Sequence, residues 1–517
     1  MLSNVVLCSS SFSKKTTYIS KNTTPMQVLE IFSQICQIPR PSKHEERISQ
    51  WLQDFAREHH IECVADEAMN VILRVPATAG YEDHPTVILQ AHMDMVCEKN
   101  SDCDHDFMSD PIETYVDGDW LKARGTTLGA DNGIGIAMAL AAITDPDLQH
   151  PAIECLFTVD EETGLTGAMK LQDGYLKGTR LINLDSEDDG QIFIGCAGGI
   201  DTLAKMHYTP QALQARGDAC APGQPRPVEA YSDTTWFPVR LSVSGLMGGH
   251  SGDDINKGRA NANKVLVGFL QRLLTRTPFL LAAIQGGNLR NAIAREAEAT
   301  ICVPMAYKEQ VRIEWNIYTA EVEKTYQDVE KEMRLELESC ALPETVIPEA
   351  QAHRLIMALT ACPHGMIAMS KDMPGLVETS TNLASVKMKE GFIEVNTSQR
   401  SSVEASKHWI KREVEYALAM ACDEVTHGDG YPGWAPNIHS PLLEITKQAY
   451  TDLFGKEPQV LAIHAGLECG LFLEKYPFLD MVSIGPQMYG VHSPQERLSL
   501  SSTERCYRWL QAVLSRC

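Results

Sequence analysis

Polar side chains with the chemistry of metal ligands stand where apolar runs of this sequence stop. They are seven acidic and imidazole residues: His92, Asp94, Asp131, Glu161, Glu162, Asp185 and His492. Imidazole nitrogen and carboxylate oxygen are ligands that zinc and similar first-row metals take in proteins. Together these side chains suit two divalent metal ions, and they predict a two-metal hydrolase.

Three of the apolar runs are short and rich in β-branched residues, as buried strands are. They cover residues 86–89, 153–159 and 181–184. These predicted strands lead into His92, Glu161 and Asp185, respectively. Residues 132–143 have the composition of a helix between two of the strands, with Asp131 as its N-cap. Strands alternating with helices predict an α/β layer, in which functional groups collect beyond the carboxyl ends of the strands.

Most of these side chains can be assigned to one of two metal ions. A carboxylate shared by two ions holds them about 3.5 to 4 Å apart, and we expect Asp131 to be that bridge. We assign His92, Asp131 and Asp185 as the ligands of one ion. Glu162 joins Asp131 at the other ion, but spacing alone does not supply the last ligand there.

Two further acids remain beside these ligands. Alternate residues of a strand share a face, so Asp94 should lie beside His92 and orient its ring. Adjacent acids cannot easily both point at one ion, so Glu161 is expected to be the general base that takes a proton from the metal-bound water. A single acid or histidine at a strand end is more often a cap or a solvated loop residue. Several of them at several strand ends indicate a site.

Ser42 and Glu45 have the spacing of a capping box at the start of a helix. His44 and Glu45 also look like the beginning of an H-E-x-x-H zinc motif. Residue 48, where the second histidine would stand, is Ile48. We therefore interpret this stretch as a helix cap.

Length and composition exclude several classes of protein. A chain of 517 residues is too long for one core, so at least two domains are expected. A net charge of -23 argues against nucleic acid or an anionic membrane as a partner. No apolar run approaches the roughly 18 residues of a membrane span. Fifteen cysteines without close C-x-x-C pairs indicate a reducing compartment, so a cytoplasmic protein is expected.

Composition also divides the chain. Residues 209–228 are rich in Pro, Gly and Ala and indicate a loop between domains or an insertion. Isolated strands and long helices follow, including a charged amphipathic helix predicted over 309–338, and they favour an α+β unit. The predicted segments are an N-terminal extension (1–24), a catalytic domain in two parts (25–205 and 426–517) and an inserted domain (206–425).

Longer motifs carry a resemblance to a known family. They are QAHMDMV (90–96), RGTTLGADNGIG (124–135), DEETGLTGA (160–168), NLDSEDDGQIFIGCAGGID (183–201), GGHSG (248–252), GGNLRNAIAREA (286–297), YPGW (431–434), HAGLECGLF (464–472), and SIGP with HSP (483–494). With these motifs the chain resembles the aminoacyl-histidine dipeptidases, the carnosinase-like Xaa-His group of the M20 metallopeptidase family.

The resemblance implies a fold and an activity. The fold is a mixed-sheet catalytic domain with helices on both faces, interrupted by an α+β lid domain that pairs two chains into a homodimer. The activity is hydrolysis of small dipeptides, preferentially Xaa-His such as β-alanyl-histidine. The implied cofactor is a pair of divalent ions, zinc in the first place and manganese or cobalt as alternatives. The resemblance also supplies His492 as the last metal ligand.

The resemblance further implies roles for four residues outside the ligand set. His250 in GGHSG resembles a lid histidine that stabilises the oxyanion of the tetrahedral intermediate. Asn291 and Arg400 resemble residues that hold the substrate backbone and its carboxylate, a task that suits a guanidinium. Gly466 stands where the family brings backbone close to the substrate.

Other functions stay open at this point. A broader dipeptidase or an N-acyl amino acid deacylase would use the same metal chemistry, and a non-catalytic metal-binding scaffold would share the fold. The sequence also departs from the family pattern at Asp160, where a neutral residue is usual, and at Cys97, where proline is usual. These departures bear on substrate preference rather than on metal binding.

Overall fold

The computed structural model describes residues 25–213 and 235–517. The N-terminal extension and residues 214–228 of the Pro-rich stretch lie outside the described residues. The helices are α1 (Pro25–Ile35), α2 (Glu46–Glu58), α3 (Ala130–Thr144), α4 (Glu161–Gly164), α5 (Thr166–Lys170), α6 (Ala262–Leu274), α7 (Lys308–Tyr326), α8 (Glu349–Ala361), α9 (Glu404–Ala419), α10 (Pro441–Phe454), α11 (Cys469–Lys475) and α12 (Leu500–Leu514).

The strands are β1 (Glu62–Ala65), β2 (Val71–Val75), β3 (Val87–His92), β4 (Thr114–Asp117), β5 (Trp120–Ala123), β6 (Ile153–Thr158), β7 (Arg180–Asn183), β8 (Gln191–Cys196), β9 (Gly198–His207), β10 (Gln211–Ala212), β11 (Trp236–Ser244), β12 (Leu280–Gly286), β13 (Ala297–Pro304), β14 (Arg334–Ser339), β15 (Thr345–Val346), β16 (Gly365–Met369), β17 (Val377–Lys389), β18 (Phe392–Ser401), β19 (Glu424–His427), β20 (Gln459–Ile463), β21 (Asp480–Ser483), β22 (Met488–Tyr489) and β23 (Arg497–Ser499).

A first, mixed sheet of eight strands has the order β1-β2-β6-β3-β7-β21-β8-β20. Its central strands β6, β3, β7 and β21 pair in parallel. The carboxyl ends of these strands therefore meet at one edge of the sheet. β3 and β6 are buried at every residue, as expected of parallel strands that are covered on both faces. The three strands predicted from the apolar runs are β3, β6 and β7.

Helices cover both faces of the first sheet. Val87 and Leu89 of β3 belong to one apolar core, which also contains Phe32 of α1. Ile88 points the other way, into a second core that contains Phe472 of α11. This alternation follows from the two-residue period of a strand. The predicted fold class, a mixed sheet with helices on both faces, is confirmed.

A second sheet is antiparallel throughout. Its order is β14-β11-β13-β12-β17-β18-β9-β19, and β16 joins it by pairing with β17. Helices α6, α7, α8 and α9 pack on it through a separate core, to which Phe269, Trp315, Leu355 and Val414 contribute. An antiparallel sheet covered by helices is the α+β unit that the sequence predicts.

The chain leaves the first sheet after β8 and returns to it at β20. β9 begins at Gly198 and pairs along its length with β18. β19, which ends at His427, pairs with β9. The strands of the second sheet therefore come from the chain between Gly198 and His427. The division at residues 205 and 425 remains a prediction. A small four-stranded sheet, β22-β23-β5-β4, joins residues 114–123 to the last part of the chain, and the loop between β22 and β23 carries His492.

The predicted capping box of α2 is wrong. The helix begins at Glu46 without a side-chain cap. Ser42 donates its hydroxyl to the Asp94 carboxylate at 2.8 Å instead. Glu45 is buried and accepts the backbone N–H of Asp160 at 2.9 Å. Both side chains are used in long-range contacts, which local spacing does not reveal.

The predicted N-cap role of Asp131 is wrong as well. The N-cap of α3 is Gly129, and no side chain caps the helix from that position. α3 has a kink with non-helical backbone angles at Asp131 and Asn132, and the peptide bond between these two residues is cis. The Asp131 carboxylate contacts His92 and His492, so it does not cap the start of α3.

The long charged helix predicted over 309–338 is too long. α7 ends at Tyr326, and the following residues form β14 at the edge of the second sheet. Leu335 and Leu337 pack against the core of that sheet, whereas Glu336 between them is exposed. The stretch has the period of a strand, which its high charge concealed.

Among the described residues, no helix is both long enough and apolar enough to span a membrane.

Candidate metal centre and substrate site

The carboxyl edge of the first sheet gathers the predicted metal ligands. His92 is the last residue of β3, Glu162 follows β6 in α4, and Asp185 follows β7. Asp131 comes from the start of α3, and His492 comes from the β22–β23 loop. We call these five residues the ligand cluster.

Three members of the ligand cluster surround one position. His92 Nε2 lies 3.0 Å from Asp131 Oδ1 and 3.4 Å from Asp185 Oδ1. One nitrogen or oxygen atom of each residue lies within 4.8 Å of the others, a spacing that can hold a metal ion. This is the group that the sequence assigns to the first ion.

A second group of three shares Asp131 with the first. His492 Nε2 lies 3.1 Å from Asp131 Oδ2 and 3.1 Å from Glu162 Oε2. These three residues also offer ligand atoms within 4.8 Å of one another. The two oxygens of Asp131 therefore face different histidines, which is the arrangement expected of a bridging carboxylate.

The charges of the ligand cluster call for a cation. Burial opposes protonation of His92, but Asp185 and the other adjacent carboxylates outweigh it and raise the pKa of His92 well above its usual value. Hydrogen bonds with Asp131 and Glu162 raise the pKa of His492 to about 11. Both imidazoles thus attract protons where the acids converge, and divalent ions would replace those protons.

The donor set and its burial fit metal ions as well. Glu162 Oε1 is buried and has no hydrogen-bond partner within the described part of the chain. Burial raises the pKa of Asp185 to about 6; the neighbouring carboxylates of Asp131 and Glu162 add to the rise, and His92 opposes it. Imidazole and carboxylate ligands with one shared acid suit two ions of the zinc, manganese or cobalt type.

Asp94 contacts both His92 and the backbone of the two glutamates. Asp94 Oδ1 lies 3.3 Å from His92 Nδ1 and accepts the backbone N–H of Glu161 at 3.0 Å. Asp94 Oδ2 accepts the N–H of Glu162 at 3.2 Å and the Ser42 hydroxyl. Burial works against its ionised form, but its bonds with His92 and these donors bring the pKa of Asp94 to about 2. The carboxylate therefore fixes both the His92 ring and the turn that carries the two glutamates.

Glu161 lies beside the same cluster. One of its carboxylate oxygens lies within 4.8 Å of ligand atoms of His92 and Glu162. Burial raises the pKa of Glu161 well above its usual value, and the nearby Asp185 and Glu468 carboxylates add to the rise while His92 opposes it. A glutamate in such surroundings can accept a proton at neutral pH.

Sequence reasoning missed several buried charged residues around the cluster. Glu468 accepts hydrogen bonds from Gln90 at 2.5 Å and Thr158 at 2.8 Å, directly behind β3 and β6. Burial raises the pKa of Glu468 to about 8. Arg40 and Glu496 hold the backbone near Asp131. Glu468 lies within the HAGLECGLF motif, but nothing local in the sequence points to the other two.

Arg400 and Gly466 both lie against Tyr431. Arg400 in β18 is buried and donates from Nη1 to the Tyr431 hydroxyl at 3.3 Å. Its Nε is buried without a partner, and no carboxylate forms an ion pair with it within residues 25–213 and 235–517. A side chain at Gly466 would come within 2.9 Å of the Tyr431 ring. The structure therefore brings these two predicted substrate residues together beside an unpaired buried guanidinium.

His250 and Asn291 lie on neighbouring loops of the second sheet. His250 pairs as an isolated bridge with Ala292, and the N–H of Ser251 donates to the Asn291 carbonyl at 2.8 Å. His250 Nδ1 lies 3.3 Å from Asp253 Oδ2. Among the described residues, no hydrogen bond or ion pair links His250 or Asn291 to the ligand cluster.

The loop after β20 contacts both the His250 loop of the second sheet and strands of the first sheet. A side chain at Gly252, next to His250, would collide with the carbonyl oxygen of His464. Further along the same loop, Glu468 accepts hydrogen bonds from Gln90 in β3 and Thr158 in β6, the strands that lead to His92 and Glu162. The stretch of five residues 464–468 thus contacts the second-sheet loop with His250, the Tyr431 ring beside Arg400, and the two strands that lead to the ligand cluster.

The two departures from the family pattern do not contact the ligand cluster. Asp160 accepts the hydroxyls of Thr163 and Thr166 and so stabilises the turn after β6. Cys97 donates weakly to the Met95 carbonyl at 3.6 Å.

The chain matches known proteins over most of its length. A family model described as peptidase family M20/M25/M40 matches residues 88–516. The cytosol non-specific dipeptidase of Escherichia coli (strain K12) is 40% identical over 491 residues, 95% of this chain and 97% of that protein. The crystal structure of aminoacylhistidine dipeptidase from Vibrio alginolyticus superposes with a TM-score of 0.87 at 38% identity, covering 95% of this chain and 96% of the other. Aminopeptidase PepT from Bacillus cereus, at a TM-score of 0.54 and 14% identity over 95% of this chain and 98% of that one, shares the fold alone.

Proposed function

This chain belongs to peptidase family M20/M25/M40, and on that basis we propose that it is a two-metal dipeptidase that prefers Xaa-His dipeptides such as β-alanyl-histidine. The observation that carries the proposal is the pair of overlapping groups, His92–Asp131–Asp185 and Asp131–Glu162–His492, which share one carboxylate. Such a pair of sites is the arrangement used for hydrolysis at two adjacent cations.

The ligand cluster would hold the two ions. His92 and Asp185 would bind one, Glu162 and His492 the other, and Asp131 both. Two divalent ions held there would polarise the scissile carbonyl and lower the pKa of a water molecule toward about 7. Zinc is the first choice for these ligands, and manganese and cobalt would fit the same donors.

Glu161 would serve as the general base. Its carboxylate lies beside His92 and Glu162, so it can take a proton from the attacking water and return it to the leaving amine. Asp94 holds Glu161 in place through the Glu161 backbone N–H and holds the His92 ring through Nδ1. Both contacts fix the base relative to the ligands.

Arg400 would bind the carboxylate of the substrate. A buried guanidinium without an acidic partner is costly unless a ligand supplies the negative charge, and a free C-terminal carboxylate would do so. Gly466 lets its backbone lie close to the ring of Tyr431, whose hydroxyl Arg400 contacts. A site that binds the carboxyl terminus close to the scissile bond favours dipeptides over longer chains.

His250 and Asn291 would complete the site from the second sheet. His250 would stabilise the oxyanion, and Asn291 would bind the substrate backbone. His250 would have to approach the ligand cluster, either in its own chain or in the second chain of a homodimer. We also propose that the protein acts in the cytoplasm as such a dimer, and the molecular mass in solution tests the pairing.

A broader dipeptidase is the second candidate, and the likeness to the Escherichia coli relative favours it, because that protein is named as non-specific. The name of the Vibrio alginolyticus protein favours histidine at the second position. The two candidates differ only in how the C-terminal side chain is recognised.

A substrate panel with metal analysis tests the proposal. Purified protein loaded with zinc, manganese or cobalt should hold two ions per chain and cleave β-alanyl-histidine and alanyl-histidine, and a chelator should abolish cleavage. Comparable rates on alanyl-leucine would assign the broader activity. Turnover of N-acetyl amino acids without any cleavage of dipeptides would overturn the proposal in favour of a deacylase.

A further inference from the structure

Glu496 holds the backbone that carries Asp131. Residues 128–131, which we call the Asp131 segment, include the first two residues of α3. Glu496 is only 3% exposed, yet its carboxylate bonds entirely to backbone. It accepts four N–H groups, to Oε2 from Leu128 (2.6 Å) and Gly129 (3.0 Å), and to Oε1 from Ala130 (2.8 Å) and Asp131 (3.3 Å).

Arg40 holds the Asp131 segment from the opposite side. The Arg40 guanidinium is 2% exposed and donates through Nη2 to the carbonyl of Gly129. Through Nη1 it also donates to the carbonyls of Met93 at 2.9 Å and Asp94 at 2.7 Å. A Cβ atom at Gly129, whose φ is +70°, would lie 2.6 Å from Arg40 Nη2, so only glycine allows this approach.

These contacts connect three segments that carry predicted ligands. Arg40 joins the end of β3, next to His92, to the Asp131 segment. Glu496 joins the same segment to the loop that carries His492, which precedes Glu496 by four positions. The relative positions of both histidines and the shared carboxylate therefore depend on two buried charges.

Neither charge would be stable in the interior without its partners. A buried carboxylate or guanidinium costs free energy unless its hydrogen-bonding groups are satisfied, and here backbone N–H and C=O groups satisfy them. A neutral amide in place of Glu496 would turn an N–H donor toward two of the four backbone donors. The Asp131 segment would then have to move.

We propose that Glu496, together with Arg40, is a positioning residue that sets the Asp131 carboxylate between His92 and His492. This inference rests on the proposed two-metal function. A residue that merely caps α3 would affect stability when changed, but it would leave metal affinity and ligand geometry untouched.

The test compares Glu496→Gln with the wild-type protein in metal binding and in the visible spectrum of the cobalt-loaded form. We expect the variant to bind at least one ion about 10- to 100-fold more weakly and to show an altered cobalt spectrum, as supporting residues of metal ligands do. Its kcat on a dipeptide should fall more than its KM changes. Arg40→Lys, which keeps the charge but cannot reach three carbonyls, should behave in the same way and provides the answer if Glu496→Gln does not fold.

Glu154→Gln is the matched control. Glu154 is also 3% exposed and accepts two backbone N–H groups, from Lys177 at 2.8 Å and Gly178 at 2.9 Å, but it stands near the opposite end of β6 from Glu162. Its metal affinity and cobalt spectrum should match the wild type. A folded Glu496→Gln or Arg40→Lys protein with wild-type affinity for two ions and an unchanged spectrum would overturn the inference. If the wild-type protein itself binds no pair of ions, the proposed function fails first.

Discussion

Asp131 is the one residue that both three-residue groups of the ligand cluster share. Its two oxygens lie about equally far from two histidines, at 3.0 Å from His92 and 3.1 Å from His492. Of the other carboxylates, that of Asp185 lies 3.4 Å from His92, and that of Glu162 lies 3.1 Å from His492. Asp131 therefore links the two groups, and the remaining ligands distinguish them.

Changing Glu161 to Gln should stop the reaction without emptying the site. Glutamine keeps the size of the side chain and its backbone bond to Asp94, but it cannot accept a proton from water. We expect kcat to fall by about 10²- to 10⁴-fold, the usual contribution of a general base. Steady-state rates on alanyl-histidine, measured beside metal content, check this. Two bound ions with near wild-type turnover would remove Glu161 from the role of base.

The buried imidazole of His464 should make the metal-free protein sensitive to acid. Burial, with some help from Arg400, lowers the pKa of His464 from 6.5 to about 4 in the folded chain. The unfolded chain takes up this proton below pH 6.5, whereas the folded chain does so only near pH 4. Stability from this group is therefore complete above pH 6.5 and falls as the pH drops toward 4, by about 2 kcal/mol at pH 5.

Thermal unfolding in chelator between pH 7 and pH 5 measures this effect. His464→Gln should show a smaller loss of stability over that range than the wild type. The exposed His439→Gln serves as the control and should follow the wild type. Parallel pH curves for the wild type and His464→Gln would show that His464 is not the group responsible.

Among the elements, the sequence predicts the central strands and the ligands at their ends, because apolar runs and the polar residues that stop them are local features. Glu496 and Arg40 could not be predicted, since Glu496 bonds to the Asp131 segment across more than 360 positions of sequence. The capping box at Ser42 failed for a related reason, as its hydroxyl bonds to Asp94 in another element. At β14 a two-residue period was present, but the charges of the stretch favoured a helix.

The approach of β21 to the end of β7 should be intolerant of any side chain. A Cβ atom at Gly485, just after β21, would overlap the carbonyl oxygen of Ser186, which follows Asp185. Because a backbone atom cannot yield as a side chain does, Gly485→Ala should lower the free energy of unfolding by about 2 to 3 kcal/mol. It should also displace Asp185 and weaken one metal site.

Denaturant unfolding and metal titration of Gly485→Ala check both effects. Gly428→Ala is the control, because no atom lies within 4 Å of the position that its Cβ would take. A Gly485→Ala protein as stable as Gly428→Ala would mean that the two strand ends can separate without consequence.

In the whole molecule, the site depends on segments that are far apart in the chain. The ligand cluster draws on both parts of the first sheet, and the stretch 464–468 contacts strands β3 and β6, the Tyr431 ring beside Arg400, and a loop of the second sheet. The full chain also carries a net charge of -23, so gathering more acids at one edge works against folding unless cations are bound. Bound ions should therefore stabilise the fold as a whole and not only the active site.

This coupling predicts a large effect of metal on thermal unfolding. A ligand that binds only the folded state stabilises it by about 2.7 kcal/mol when its concentration is 100 times its dissociation constant, and two ions would contribute twice. Adding zinc or manganese to chelator-treated protein should raise the unfolding midpoint by several degrees, more at higher metal concentration. Asp131→Asn should lose most of this response, since both groups share that carboxylate, whereas Asp185→Asn should keep part of it. An equal response in the two variants would show that Asp131 does not join the two sites.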